Sequence, residues 1–275
     1  MNTELKGYSH PLSPSGKAQL VGKFPWYFST AQMIICYNAD PEEVQKQLPE
    51  PYKVSKTEPA GCMCWFGDWL IVPSEFKDLA ASNPERVQYK ECMLLVNCCV
   101  NGIEARHCPY IWVDSDFAML AGMLMGFPKK LGKIYLSHSK AKIYGLNEAF
   151  GKVGKGTVFG GFVEALGERL VTGSIKLKEQ ISPSKLPPNF AAPIFNTIYL
   201  PSSDIDSDKP FVRRLIRILE ENFVFGEIWA AEDASLTFMQ SELEEHIRLK
   251  PVQITGAYYL EIGIKVLGTK LIQEW

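Results

Sequence analysis

The chain has 275 residues, 46% of them apolar, and its 29 basic and 31 acidic side chains leave a net charge of -2. That is enough chain and enough apolar surface for one large core, and the near-neutral balance supplies no field to gather nucleic acid or an anionic membrane. No apolar run has the length of a bilayer span, and Met1-Asn2-Thr3-Glu4-Leu5-Lys6 lacks the hydrophobic stretch of a secretory signal, so a cytoplasmic address is expected.

Residues 1-24 are polar and broken by Gly7, Pro11, Pro14 and Gly16, which suits an arm laid over the surface rather than a domain; residues 25-275 read as a single domain. Trp26 to Tyr37 is aromatic and branched, as a strand is. Asp40-Pro41-Glu42-Glu43 then offers a helix cap, a first-turn proline and first-turn acids for a short helix to Leu48. Cys62 to Val72 reads as a second strand, and 73-88 as a long exposed loop of the kind that covers sites.

The apolar runs Cys92-Val100 and Ile103-Val113 flank Asn101-Gly102, whose residue types take the positive φ values of a tight hairpin turn. Ser115 can cap a following helix whose Phe117, Met119, Leu120, Met123 and Leu124 recur at helical spacing, with Gly126 past its end and Pro128 preventing continuation. Lys133-Tyr144, Thr157-Ala165, Arg169-Leu177 and Tyr258-Val266 read as strands, with a turn at Gly167. Phe211-Glu221 fits either type, its Leu215, Ile218 and Leu219 suiting a helix and the Phe223-Val224-Phe225 that follows suiting a strand. There is no internal repeat.

The seven cysteines, Cys36, Cys62, Cys64, Cys92, Cys98, Cys99 and Cys108, sit in apolar runs without zinc-ligand spacing; they read as reduced core thiols, and no metal is expected. His107 and His138 fall in expected strands and read as packed residues, while His10 and His246 lie in polar stretches and carry no assignment. Asp114 and Asp116 suit the start of the helix electrostatically. Gly151, Gly154, Gly156, Gly160 and Gly161 lack the strand-to-helix turn of a dinucleotide site and suit turns and bulges.

The segment that stands out is Gly126-Phe127-Pro128-Lys129-Lys130-Leu131-Gly132. Adjacent ammonium groups repel, and apolar surroundings disfavour the charged form, so both effects favour a neutral amine. A neutral amine adds to a ketone and loses water, and the resulting iminium is an electron sink for breaking or making a neighbouring bond. An ordinary Lys-Lys pair is a solvated surface feature; this one is bracketed by Met123, Leu124, Met125, Phe127 and Leu131 and pinned by Gly126, Pro128 and Gly132.

Phe127-Pro128-Lys129-Lys130-Leu131-Gly132 resembles the aromatic-Pro-Lys-Lys-Leu-Gly signature of the acetoacetate decarboxylase superfamily. Three further segments match in order: Leu48-Pro49-Glu50-Pro51, Tyr89-Lys90-Glu91, and Glu227-Ile228-Trp229 with Phe238. The resemblance implies an α+β fold with a mostly antiparallel, cone-like β-barrel core, flanking helices and the lysines facing its cavity. It implies Lys129 as the Schiff-base nucleophile, Lys130 as its electrostatic neighbour and Glu91 as an acid that orients Lys129 or shuttles protons. Phe127, Gln32, Cys64 and Tyr258 are candidates for the substrate pocket.

Two departures bear on the substrate. Where the family has an arginine, this sequence reads Ser29-Thr30-Ala31-Gln32, and a second family carboxylate falls near Cys64, with Asp68 available in a shifted register. The implied activity is a Schiff-base lyase acting on a small-molecule keto acid, first of all decarboxylation of a 3-oxo acid. The alternatives are an aldolase-dehydratase joining a 2-oxo acid such as pyruvate to an aldehyde, and a non-catalytic binder of keto compounds. No cofactor is required, since the iminium is the electron sink; a homo-oligomer is expected by analogy, with no nucleic-acid or membrane partner.

Overall fold

The computed structural model of the chain describes residues 4-137 and 153-275. His138, Gly151 and the part of the strand expected beyond residue 137 lie outside the described residues. Strand β1 (Trp26–Asn38) leads to helix α1 (Pro41–Lys46), capped by Asp40, whose Oδ1 accepts from the backbone N–H of Glu42 at 2.8 Å. After the short β2 (Lys53–Val54) come β3 (Gly61–Pro73), α2 (Leu79–Ser82), β4 (Gln88–Val100) and β5 (Ile103–Val113). Asn101 and Gly102 join β4 to β5 with φ of 51° and 83°, the pair of positive values that matches the twist of a two-residue hairpin.

Helix α3 (Asp116–Leu124) precedes β6 (Lys129–Leu131) and β7 (Lys133–Leu136); β8 (Val158–Ala165) and β9 (Glu168–Gln180) form a second hairpin, and β10 (Phe195–Leu200), β11 (Val212–Phe238) and β12 (Gln253–Glu274) complete the chain. The ambiguous Phe211-Glu221 is strand. Its apolar residues pair with β10 on one side and β12 on the other, so tertiary pairing overrides the helical spacing.

These strands form one sheet in the order β6-β5-β4-β3-β1-β12-β11-β9-β8-β7, antiparallel except where β6 runs parallel to β5. Its two edge strands are consecutive in the chain, separated by Gly132 alone. A Cβ at Gly132 would lie 3.2 Å from the Trp112 Cβ of β5 and 3.3 Å from the Glu164 carbonyl oxygen of β8, so both edges crowd this residue. The sheet therefore coils until its edges meet through the chain, but no hydrogen-bonded ladder joins β6 to β7. The mostly antiparallel core expected is present, and since the sheet is an open coil, barrel describes it only loosely.

Side-chain alternation sends β1 residues Met33, Ile35 and Tyr37 into the largest core, together with Cys64, Phe66, Cys92 and Leu94 of the next strands. Gln32 and Ile34 point to the opposite side, where they line a cavity with Trp65 and Trp69 of β3. All seven cysteines are buried and unpaired. Segment 73-88 is not a cover for the site. It holds the N-terminal arm instead, with Arg86 donating to the Gln19 and Leu20 carbonyls and the Lys23 N–H donating to Glu75. The residues over the cavity come from the proline-rich stretch between β9 and β10, including Pro183, Leu186, Pro187 and Phe190. Among the described residues no helix is long and apolar enough to cross a membrane.

Candidate active site

Helix α3 ends in a way that dictates where the lysines go. Met125 is its C-cap, Gly126 follows at φ 69°, and the N–H groups of Gly126 and Phe127 return to the carbonyls of Met123 and Gly122 at 3.1 and 3.0 Å. This left-handed stop needs glycine, and Pro128 then forces an extended chain that joins β5 as β6. Ser115 occupies the N-cap, but its side chain makes no capping bond; the Asp116 carboxylate accepts from the Phe117 N–H at 2.6 Å instead.

On a strand, successive side chains face opposite sides, and this separates the lysine pair. Lys129 turns inward, and its Nζ lies 2.7 Å from Glu91 Oε2, with both side chains almost wholly buried. The rings of Tyr89 and Phe127 stand 4.9 and 5.8 Å from that nitrogen, close enough to favour a cation there. Burial, and next the Glu91 carboxylate, hold the Tyr89 phenol well above its ordinary value, so it stays neutral. The lysine stem crosses helix α3 at Gly122, where a Cβ would meet Lys129 Cδ at 2.3 Å.

Lys130 turns outward. Its Nζ lies 2.9 Å from Glu244 Oε2, while Glu244 Oε1 accepts from the Trp112 indole at 3.3 Å. The sequence places the two ammonium groups side by side; the strand sends them to opposite faces, and Glu244 balances the outer one. The lysines do not both face the cavity.

Three strands set a cavity-facing row in register, Gln32 of β1 opposite Gly67 of β3, and Gly67 opposite Glu91 of β4. Two strand spacings put the Gln32 and Glu91 backbones about 10 Å apart. Gly67 carries no side chain between them, and the Trp69 indole folds over it, within 2.3 Å of where a Cβ would stand. The Gln32 amide is buried and its Nε2 has no hydrogen-bond partner among the described residues.

The cavity beyond Lys129 measures about 540 Å³, lined by Phe28, Trp65, Trp69, Phe190, Leu260 and Ile262 among others. That is the size of sites that take drug-sized ligands. Of the pocket candidates read from sequence, Phe127 and Gln32 line it. Cys64 does not. It lies on the other face of β3, its Sγ 3.9 Å from that of Cys92 in the core, and Asp68 shares that parity, so neither brings an acid to Lys129. Tyr258 packs edge-on against Phe190, with ring centroids 5.5 Å apart, and lines a neighbouring groove instead.

Two charged residues of the cavity wall escaped the sequence reading: Arg106 of β5 and Glu220 of β11. Arg106 sits inside an apolar strand, and a charge in such a run is the signal that would have found it. His246 also belies its polar neighbours: it is fully buried against Trp112 and Phe238, and its Nε2 bonds the Leu170 carbonyl at 2.9 Å.

The family model for acetoacetate decarboxylase matches residues 9–274. The chain belongs to the acetoacetate decarboxylase family. Among solved structures, the enduracididine biosynthesis enzyme MppR, complexed with the condensation product of pyruvate and imidazole 4-carboxaldehyde, is 25% identical with a TM-score of 0.84 over 98% of this chain and 97% of its own. Two other family folds superimpose: an acetoacetate decarboxylase-like enzyme from Sphingomonas wittichii RW1, at 21% identity and TM-score 0.87 over 98% of this chain and 100% of that one, and the acetoacetate decarboxylase of Legionella pneumophila, at 17% identity and TM-score 0.75 over 100% and 99%. No protein of curated function matches the sequence. Family membership makes this a relative of lyases, with the family's fold.

Proposed function

We propose that the chain is a lyase that forms a Schiff base on Lys129 and uses it to join a small keto acid to a bulkier aldehyde with loss of water. The observation that carries this reading is the buried contact of Lys129 with Glu91, at 2.7 Å, on the wall of a cavity of about 540 Å³. A three- or four-carbon acid fills only a fraction of that space, so room remains for a second reactant.

The residues support each proton transfer. Glu91 takes a proton from the Lys129 ammonium, and the amine adds to the keto carbon. Glu91 returns the proton to the carbinolamine hydroxyl, which leaves as water and yields the iminium. Tyr89 and Phe127 present their ring faces to that cation. Glu91 then removes a proton from the carbon next to the iminium, the enamine so formed attacks the aldehyde carbon, and Glu91 returns the proton to the aldehyde oxygen; loss of a second proton from the same carbon expels that hydroxyl as water, and a water molecule hydrolyses the iminium to free the product and Lys129. The unpartnered Gln32 Nε2, across Gly67, supports this reading as a donor that an oxygen of the keto acid would satisfy. The similarity to MppR, in complex with a pyruvate condensation product, supports the same direction.

Decarboxylation of a 3-oxo acid is the second reading, favoured by the Glu91 carboxylate itself. A substrate carboxylate held in an apolar cavity beside another negative charge is destabilised relative to carbon dioxide.

The test is intact-protein mass spectrometry after incubation with pyruvate or acetoacetate and borohydride, with carbon dioxide followed in parallel. The expected result is a reduced adduct at Lys129 with both acids, absent from Lys129→Ala, with little carbon dioxide from acetoacetate. Vigorous carbon dioxide release would select the decarboxylase; equal labelling of the Lys129→Ala protein would overturn the Schiff-base assignment.

A further inference from the structure

The cavity has a polar feature that the chemistry at Lys129 does not use. Arg106 is 4% exposed, and its Nε and Nη2 donate to the Ala192 carbonyl at 3.0 and 2.6 Å, which ties down the stretch over the cavity. Its guanidinium carbon stands 5.4 Å from the Trp65 ring. Its Nη1 has no partner among the described residues. A buried guanidinium donor without an acceptor is costly and asks for an explanation.

Glu220 supplies the opposite charge on the same cavity wall, and no hydrogen bond to its carboxylate is found among the described residues. The two interact electrostatically, yet they do not close into an ion pair within 4 Å. Burial pushes the Glu220 carboxyl up, opposed by Arg106 and then Arg217, and pushes the Arg106 guanidinium down, opposed chiefly by Glu220.

The position is remote from the lysine. Lys129 pairs with Ile111 of β5, five residues beyond Arg106 on the same strand, a backbone separation of about 15 Å. The wall between is aromatic and aliphatic, with Trp65 and Phe190 stacked at a centroid distance of 6.3 Å. Because Arg106 and Glu220 balance each other, a ligand end bearing net charge would bring an uncompensated charge into an apolar cavity. A neutral group that accepts from Arg106 and donates to Glu220 satisfies both.

We infer that the carbonyl compound occupying this cavity carries a hydroxyaryl group, its ring against Trp65 and Phe190 and its phenolic hydroxyl bridging Arg106 and Glu220. This rests on the Schiff-base reading only for which end of the molecule faces Lys129.

The test uses benzylacetone and its para-hydroxy, para-methoxy and para-carboxy derivatives, each placing a methyl ketone at one end and a ring at the other. Half-saturation is read twice: by borohydride trapping on the full chain, and by quenching of tryptophan fluorescence on Lys129→Ala, which needs no covalent step. The hydroxy compound should half-saturate at about tenfold lower concentration than benzylacetone, the methoxy and carboxy compounds should gain nothing, and the advantage should vanish in Glu220→Gln and in Arg106→Gln. Glu220→Gln leaves the Arg106–Ala192 bonds in place, so it answers even if Arg106→Gln fails to fold.

A hydroxy compound no tighter than benzylacetone, or an advantage that survives Glu220→Gln, overturns the inference. A carboxy compound binding tightest also overturns it, by making Arg106 an anion anchor. If fluorescence shows the hydroxyl preference while no ketone labels Lys129, the inference stands and the Schiff-base reading falls; labelling without the preference has the reverse meaning.

Discussion

Lys129 and Lys130 are neighbours in sequence and have no shared environment in the fold. The inner amine contacts Glu91 beside the cavity; the outer one, half exposed, contacts the buried Glu244. This makes a sharp prediction at the residue scale. Lys129→Ala should abolish trapping, whereas Lys130→Ala should change its rate by less than about tenfold, because a charge on the opposite strand face and balanced by Glu244 acts weakly across the sheet. Its effect should fall on stability, a loss of about 2 kcal/mol from leaving Glu244 buried without its cation, partly restored by adding Glu244→Gln. Denaturant melts and trapping kinetics on the same samples check both halves. A Lys130→Ala protein that folds normally yet no longer traps ketones would return Lys130 to the role that the family resemblance implies.

At the scale of elements, helix α3 and its stop do two jobs. The Gly126 turn aims β6 at the edge of β5, and Gly122 opens the groove through which the lysine stem passes. Gly122→Ala would improve helix propensity by about 1 kcal/mol, but its methyl would occupy the place of Lys129 Cδ and Cε. The lysine must then move away from Glu91. The expected outcome is a protein that melts within a few degrees of the parent and traps pyruvate at least about tenfold more slowly, since small displacements of a reacting group are costly. Unchanged trapping would show that the stem has another route to the cavity. The helix and its glycine stop were legible in the sequence, because capping chemistry is local. The open groove at Gly122 was not, because it depends on a residue seven positions later folding back over the helix.

For the whole molecule, two histidines are buried without charge. His107 Nδ1 lies 3.2 Å from the Phe195 carbonyl, which can only accept, so that nitrogen carries the hydrogen; burial lowers the His107 pKa from 6.5 to about 4. Burial also lowers that of His246. A depressed folded-state value means that the unfolded chain binds the proton first. Stability from this source is therefore complete above pH 6.5 and is lost as pH falls toward 4, by up to about 3 kcal/mol for His107. Thermal melts should be flat above neutrality and fall through this window, and His107→Gln should flatten the fall. An unchanged slope in that variant would assign the acid sensitivity to other groups.

Sequence by itself determined the strands and turns whose signals are local: the Asn101-Gly102 hairpin, the Asp40 cap, and the Gly126-Pro128 stop that puts an extended Lys129 after a helix. Its motif order also determined the family, since four matching segments record a shared fold without revealing distances. Tertiary structure alone decided which lysine faces the cavity, that Cys64 and Asp68, the two positions read for a second acid, lie on the face of β3 away from it, and that Arg106 and Glu220, distant in the chain, share one wall. The reason is the period of two of a β-strand: a side chain's face follows from register against neighbouring strands, and register is set by pairings between residues far apart in sequence.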